Sequence, residues 1–95
     1  MKPEHYIHQL AQSFPCLRNK IPTRLWDEFD PNHFKEQMAG WSSGEYNAGL
    51  FILNVWNPGY ARARNWHFDA VLAIESWDQG NRFAFTAWCL KPYFP

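Results

Sequence analysis

Four histidines, two cysteines and a scatter of carboxylates are the groups in this sequence able to do chemistry, and their spacing limits what that chemistry can be. His5 and His8 lie three apart with Glu4 four before His8, His33 and Glu36 are also three apart, and His67 precedes Asp69 by two. On a helix such pairs can meet one ion. A zinc site needs three or four ligands, and no third donor is tied to any pair. They read as surface or capping residues, so no metal and no cofactor is expected.

Cys16 lies between Pro15 and Leu17 with Arg18 close in sequence, and a neighbouring cation lowers a thiol pKa. A nucleophilic cysteine also needs a base within reach, and the sequence places none beside it. Cys89, between Trp88 and Leu90, reads as core. The two cysteines fit neither a metal nor a redox spacing; they are expected to be free, buried thiols, although one disulfide is arithmetically possible. Ser42 and Ser43 are better explained as helix caps than as nucleophiles. Asp27, Glu28 and Asp30 cluster as a solvated helix face with Asp30 as a cap, and Glu75 and Asp78 flank Trp77. The five glycines are scattered and make no phosphate-cradling loop. With no convergent acid, base and nucleophile, the expectation is a protein that is not an enzyme.

The remaining chemistry is recognition. Segment 57–66 carries Arg62 and Arg64 with Tyr60 and Trp66 around them and no acid. Arginine and aromatic side chains together stack on bases and contact phosphate, and the same types are enriched at protein hot spots. The chain carries nine Lys plus Arg and nine Asp plus Glu, for zero net charge. That balance argues against a protein built to grip phosphate backbones, and Arg62 and Arg64 can equally pair with Glu45, Asp69 or Asp78. A second candidate is Tyr93 with Phe94, near the end of the sequence in a Pro-x-x-Pro spacing. Folding back onto the domain suits them better than acting as a polyproline ligand.

The elements that must position these residues follow from pattern and punctuation. Ninety-five residues allow one domain, spanning 1–95. Eight Phe, six Trp and four Tyr exclude a disordered composition. Tyr6, Ile7, Leu10, Ala11 and Phe14 make one helical stripe over 3–14, which Pro15 stops. Segment 15–22 reads as a loop, and Thr23 can cap a short helix carrying Leu25, Trp26 and Phe29. Asp30-Pro31 starts a helix with Phe34 and Met38 on one face, and Gly40 ends it.

Segment 43–56 has the composition of a strand, but Ser42 and Glu45 form a capping box, and Trp41 with Tyr46 a hydrophobic staple. The pattern therefore predicts a helix, apolar on nearly all sides and central, stopped by Asn57-Pro58-Gly59. For 68–90 two short helices are favoured over a hairpin. Val71, Ile74 and Trp77 share one face of the first, and Asp78 caps the second, on which Phe83, Ala87 and Leu90 recur. A lone hairpin would leave exposed edges.

The expectation is an all-α compact single-domain bundle of five or six short helices, with α+β through a C-terminal β-hairpin at 68–90 as the alternative. No run is long enough to span a membrane. Charged and His residues stand where a secretion signal would have its apolar run, which points to the cytoplasm. Such a chain suits a small protein-binding module that joins another protein or its own copy, as an accessory or inhibitor protein of a bacterial kind. Nucleic acid is the less favoured partner. The contact residues expected are Tyr60, Arg62, Arg64 and Trp66, then Tyr93 and Phe94. Phe83 and Phe85 are assigned to the core with Tyr6, Phe14, Phe34 and Phe51, and Trp56, Trp77 and Trp88 to helix ends.

Overall fold

Local capping chemistry starts nearly every helix. In the computed structural model, which describes residues 2–20 and 29–95, α1 (Pro3–Ser13) begins on proline and buries Ile7, Leu10 and Ala11, with Phe14 buried just beyond its end. The chain then tightens into a 3-10 turn, Pro15–Leu17, where a plain loop was expected, and buries Leu17. The helix expected after Thr23, with Leu25, Trp26, Asp27 and Glu28, lies outside the described residues. Asp30 caps α2 (Pro31–Gln37), its Oδ1 accepting from the Asn32 and His33 amides at 2.9 and 3.3 Å. Gly40, at φ +82°, supplies the left-handed step that turns the chain toward the next helix.

α3 (Ser43–Trp56) carries both halves of the capping box: Ser42 Oγ accepts from the Glu45 amide at 3.3 Å, and Glu45 Oε1 accepts from the Ser42 amide at 2.9 Å. The hydrogen bond from the Ser42 amide holds the Glu45 carboxyl below its ordinary range, with Lys20 Nζ at 3.1 Å adding to the effect. Six consecutive residues, 48–53, are buried, as is Val55. A helix turns 100° per residue, so six in a row leave no side open to water. α1, α2, the 3-10 turn, α4 (Pro58–Ala63) and α5 (Ala70–Ser76) all pack on it. At Gly49 an added Cβ would come within 2.8 Å of Met38 Sδ and Cε, so the missing side chain lets Met38 lie across α3.

Segment 68–90 forms two helices, α5 and α6 (Gln79–Leu90), with no strand among the described residues. The hairpin alternative fails because Asp69 and Asp78 each cap a helix: Asp69 Oδ1 accepts from the Val71 and Leu72 amides, and Asp78 Oδ1 from the Asn81 amide. The faces differ from expectation. α5 ends at Ser76, and Trp77 is extended, which swings its ring into the core, where it is 3% exposed. Its indole Nε1 donates to the Gly44 carbonyl at 2.9 Å. α5 itself buries only Ala73, while Val71 and Ile74 face out.

α6 turns Asn81, Ala84, Phe85 and Trp88 inward instead of Phe83, Ala87 and Leu90. Buried Asn81 sets this rotation. Its Oδ1 accepts the Cys16 amide at 3.2 Å and its Nδ2 donates to Asp78 at 2.9 Å, tying α6 to the 3-10 turn. Turning Phe83 inward would strand that amide without partners.

The aromatic side chains meet around Phe51. Its ring lies 5.6 Å from Phe14, 5.3 Å from Phe68, 5.2 Å from Phe85 and 5.1 Å from Trp88. The radius of gyration is 12.1 Å, close to the roughly 12.4 Å of a compact domain of this length. We predict that Phe51→Ala lowers unfolding free energy by about 3–5 kcal/mol in urea titration. Phe83→Ala, on the outer face of α6, stays within about 0.5 kcal/mol of wild type; equal losses would contradict this arrangement.

Candidate functional site

The structure brings three of the four expected contact residues of segment 57–66 together, by way of a helix ending. Asn57-Pro58, read from sequence only as a stop, also starts α4, with Asn57 Oδ1 accepting from the Tyr60 amide at 3.0 Å. After α4 the chain passes through Asn65 at φ +60°. The Trp66 amide donates to Ala61 and the Asn65 amide to Arg62, the paired bonds of a Schellman stop. That geometry folds Trp66 back over Tyr60, edge-on at 5.8 Å, and lays the Arg64 guanidinium 4.3 Å from the Tyr60 ring centre. The Tyr60 hydroxyl accepts from Asn32 Nδ2 at 2.7 Å, and the Trp66 carbonyl from Asn54 Nδ2 at 2.8 Å. Arg62 is exposed in the last turn of α4 and lies outside the ring cluster. Neither arginine pairs with an acid among the described residues: Glu45 holds Lys20, and Asp69 and Asp78 are capping groups.

Tyr93 and Phe94 fold back along α6, on either side of Trp88. Tyr93 meets Tyr6 edge-on at 4.8 Å, its carbonyl accepts from Trp88 Nε1 at 3.3 Å, and Phe94 meets Trp88 at 90° and 5.4 Å. Both remain more than half exposed, at 55% and 54%. Two ring contacts and one long hydrogen bond, each worth about 1 kcal/mol, stand against about 1–2 kcal/mol of backbone entropy per ordered residue. The segment is therefore held weakly.

Trp88 separates two grooves. One, of about 300 Å³, runs between α1 and α6 past Tyr6, Leu10, Ala84 and Lys91. The other, of about 310 Å³, lies between α3 and α6, walled by Phe51, Val55, Phe68 and Phe85, with Pro58 of α4 and Phe94 at its edges. No lining side chain of the second groove is ionisable. The NH2 group of its Asn54 is already spent on the Leu50 and Trp66 carbonyls.

The exposed large apolar residues of α5 and α6 include Val71, Ile74, Phe83 and Leu90, which the sequence placed on helical stripes, Phe83 among the core. On α5, Val71 is 76% exposed and Leu72 57%; on α6, Phe83 is 64% and Leu90 82%. Ile74 is also exposed, and its carbonyl accepts Arg82 Nε at 2.9 Å, which brings the end of α5 to the start of α6. The sequence holds 13 Ile, Leu and Val residues, so four of them exposed on α5 and α6 is a disproportionate display. A detectable signal existed: residues 70–74 and 83–90 contain no charged side chain, although a surface helix needs a polar face.

The other reactive groups do not converge. Among the described residues no three His, Cys, Asp or Glu side chains are placed to hold a metal ion, and no helix is long and apolar enough to cross a membrane. Comparison with protein-family models, with curated proteins and with solved structures finds no match.

Both cysteines are free thiols, but neither matches its expected setting. Cys89 is exposed, because it sits one residue and 100° past inward-facing Trp88. Cys16 is half-buried, and burial, joined by the Glu45 and Asp78 carboxylates, pushes its pKa up to about 11. Arg18 does not lower it; its Nε donates to the Gln12 carbonyl at 3.1 Å. We predict that iodoacetamide at pH 8 modifies Cys89 first, and that Cys16 labelling rises only as pH approaches about 11. Peptide mapping showing Cys16 modified first at pH 8 would contradict this placement.

Proposed function

We propose that this protein works by binding another protein, and not by catalysis, through the apolar outer faces of α5 and α6. The observation that carries this reading is the exposure of Val71, Leu72, Ile74, Phe83 and Leu90 on uncharged helix runs. Single exposed apolar residues are ordinary; several on two helices that meet at the Arg82–Ile74 hydrogen bond are what partner surfaces present. Tyr60, Arg62, Arg64 and Trp66 form a second, more polar contact region, and Tyr93 and Phe94 a third beside α6. An accessory or inhibitor role suits a chain of this size with such a surface. Nucleic-acid binding has less support, because net charge is zero and Arg64 is engaged with the Tyr60 ring.

Paired capture experiments test the reading. The wild-type chain, immobilised in lysate of its native cell, should retain a partner that the Phe83→Asp, Leu90→Asp variant loses by tenfold or more. Both substitutions lie on solvent-facing positions, so the far-UV spectrum should stay helical. If the partner is a second copy, light scattering should show a dimer in the wild type and a monomer in the variant. Undiminished capture and an unchanged mass in the folded variant would overturn the proposal. The Arg62→Glu, Arg64→Glu variant, run alongside, reports whether the second region contributes.

A further inference from the structure

We infer that the groove between α3 and α6 is the seat for an aromatic side chain supplied by the partner, and that Phe94 occupies its edge as a displaceable internal stand-in. This deepens the protein-binding reading above and rests on it. The chemistry of the occupant follows from the walls. Phe68, Phe85 and Trp88, each partly exposed, offer apolar surface above a floor of buried Phe51 and Val55, and no ionisable group lines the groove. Both hydrogens of the Asn54 amide are bonded to backbone carbonyls, so they are not available to a ligand. A charged ligand would lose its water and find no counter-charge, with Asn54 Oδ1 the one lining side-chain acceptor. An engineered apolar cavity of about 150 Å³ takes up benzene, and this open groove, at about 310 Å³, has room for an aromatic side chain.

The chain itself shows the fit. Phe94 already lines the groove and meets Trp88 edge-on at 5.4 Å with planes at 90°, the arrangement aromatic rings favour. It does so from a segment that has left α6 and meets Trp88 and Tyr6, with Phe94 itself about half exposed. The matching partner segment presents an aromatic residue on an extended, uncharged stretch, as Pro92, Tyr93, Phe94 and Pro95 do here. Seated in this groove, it lies beside Pro58 and α4 on one side and α6 on the other.

The test uses the full chain, as wild type and as Phe94→Ala, with the capped peptide Pro-Tyr-Phe-Pro as probe. Methyl resonances of Val55 report this groove and those of Ala87 the groove beside α1. An intramolecular competitor lowers apparent affinity by the fraction of open groove. Phe94→Ala should therefore bind the peptide roughly tenfold more tightly than wild type if Phe94 occupies its site about nine-tenths of the time. Val55 should shift and Ala87 should not, and a peptide with Ala in place of Phe should lose the effect. Phe94→Ser serves equally if Phe94→Ala folds poorly. Equal affinity in variant and wild type, or binding that leaves Val55 unmoved, would overturn the inference. The capture experiment reads Phe83 and Leu90, which do not line this groove, so a failure here and a failure there are separable.

Discussion

The structure depends on one constraint: the middle of α3 cannot face water on any side. Residues 48–53 are buried without a break, so the chain must surround a helix about 10–12 Å across with short elements drawn from fewer than a hundred residues. The capping box at Ser42 and Glu45 makes this tolerable by deciding where the helix begins, independently of its β-like composition. Once it begins there, Gly44 faces the end of α5, Gly49 faces Met38, and Phe51 lies at the centre of the aromatic cluster. The placement of α1, α2, α4 and α5 is the set of ways of covering that cylinder.

α6 is the element this constraint leaves over. It is tied by backbone and by Asn81 to the 3-10 turn, and it reaches α3 through Phe85 and Trp88. The space between the helices is spanned by rings and not closed by backbone, which is why a groove opens on each side of Trp88. The aromatic richness of the sequence has its reason here. Short helices that cannot approach closely need long, flat side chains to meet, and each such side chain buries roughly 150–250 Å². What α3 does not require is left bare, and α5 and α6 keep apolar side chains on their outer faces.

Much of this was legible in sequence where the signal was local chemistry. Asp30-Pro31, Ser42 with Glu45 and Asp78 each specify a helix start through one or two hydrogen bonds, and each behaves as read, while Gly40 takes a left-handed turn after a helix that already ends at Gln37. Periodicity failed where both faces of a helix are apolar. On α6 the stripe of Phe83, Ala87 and Leu90 and the stripe of Ala84, Phe85 and Trp88 compete at the same spacing. The choice between them is made by Asn81, whose partners Cys16 and Asp78 meet only in the folded chain. Trp77 misled for a related reason, since the helix it was assigned to ends one residue earlier. α4 was overlooked although Asn57-Pro58 repeats the signal at Asp30-Pro31. Of the candidate site, Tyr60, Arg64, Trp66, Tyr93 and Phe94 were singled out and do find aromatic contacts, but the outer faces of α5 and α6 were mistaken for core.

Stability resides in the surrounded α3, while the outer helices carry apolar surface that the fold does not need. Amide hydrogen exchange on the isolated chain measures this most directly. The account predicts the slowest exchange in residues 48–55, at the rate of global unfolding, with α5 and residues 91–95 opening earlier through local fluctuations. Protection of α5 and of residues 91–95 equal to that of α3 would contradict it, because the outer elements would then belong to the same cooperative core.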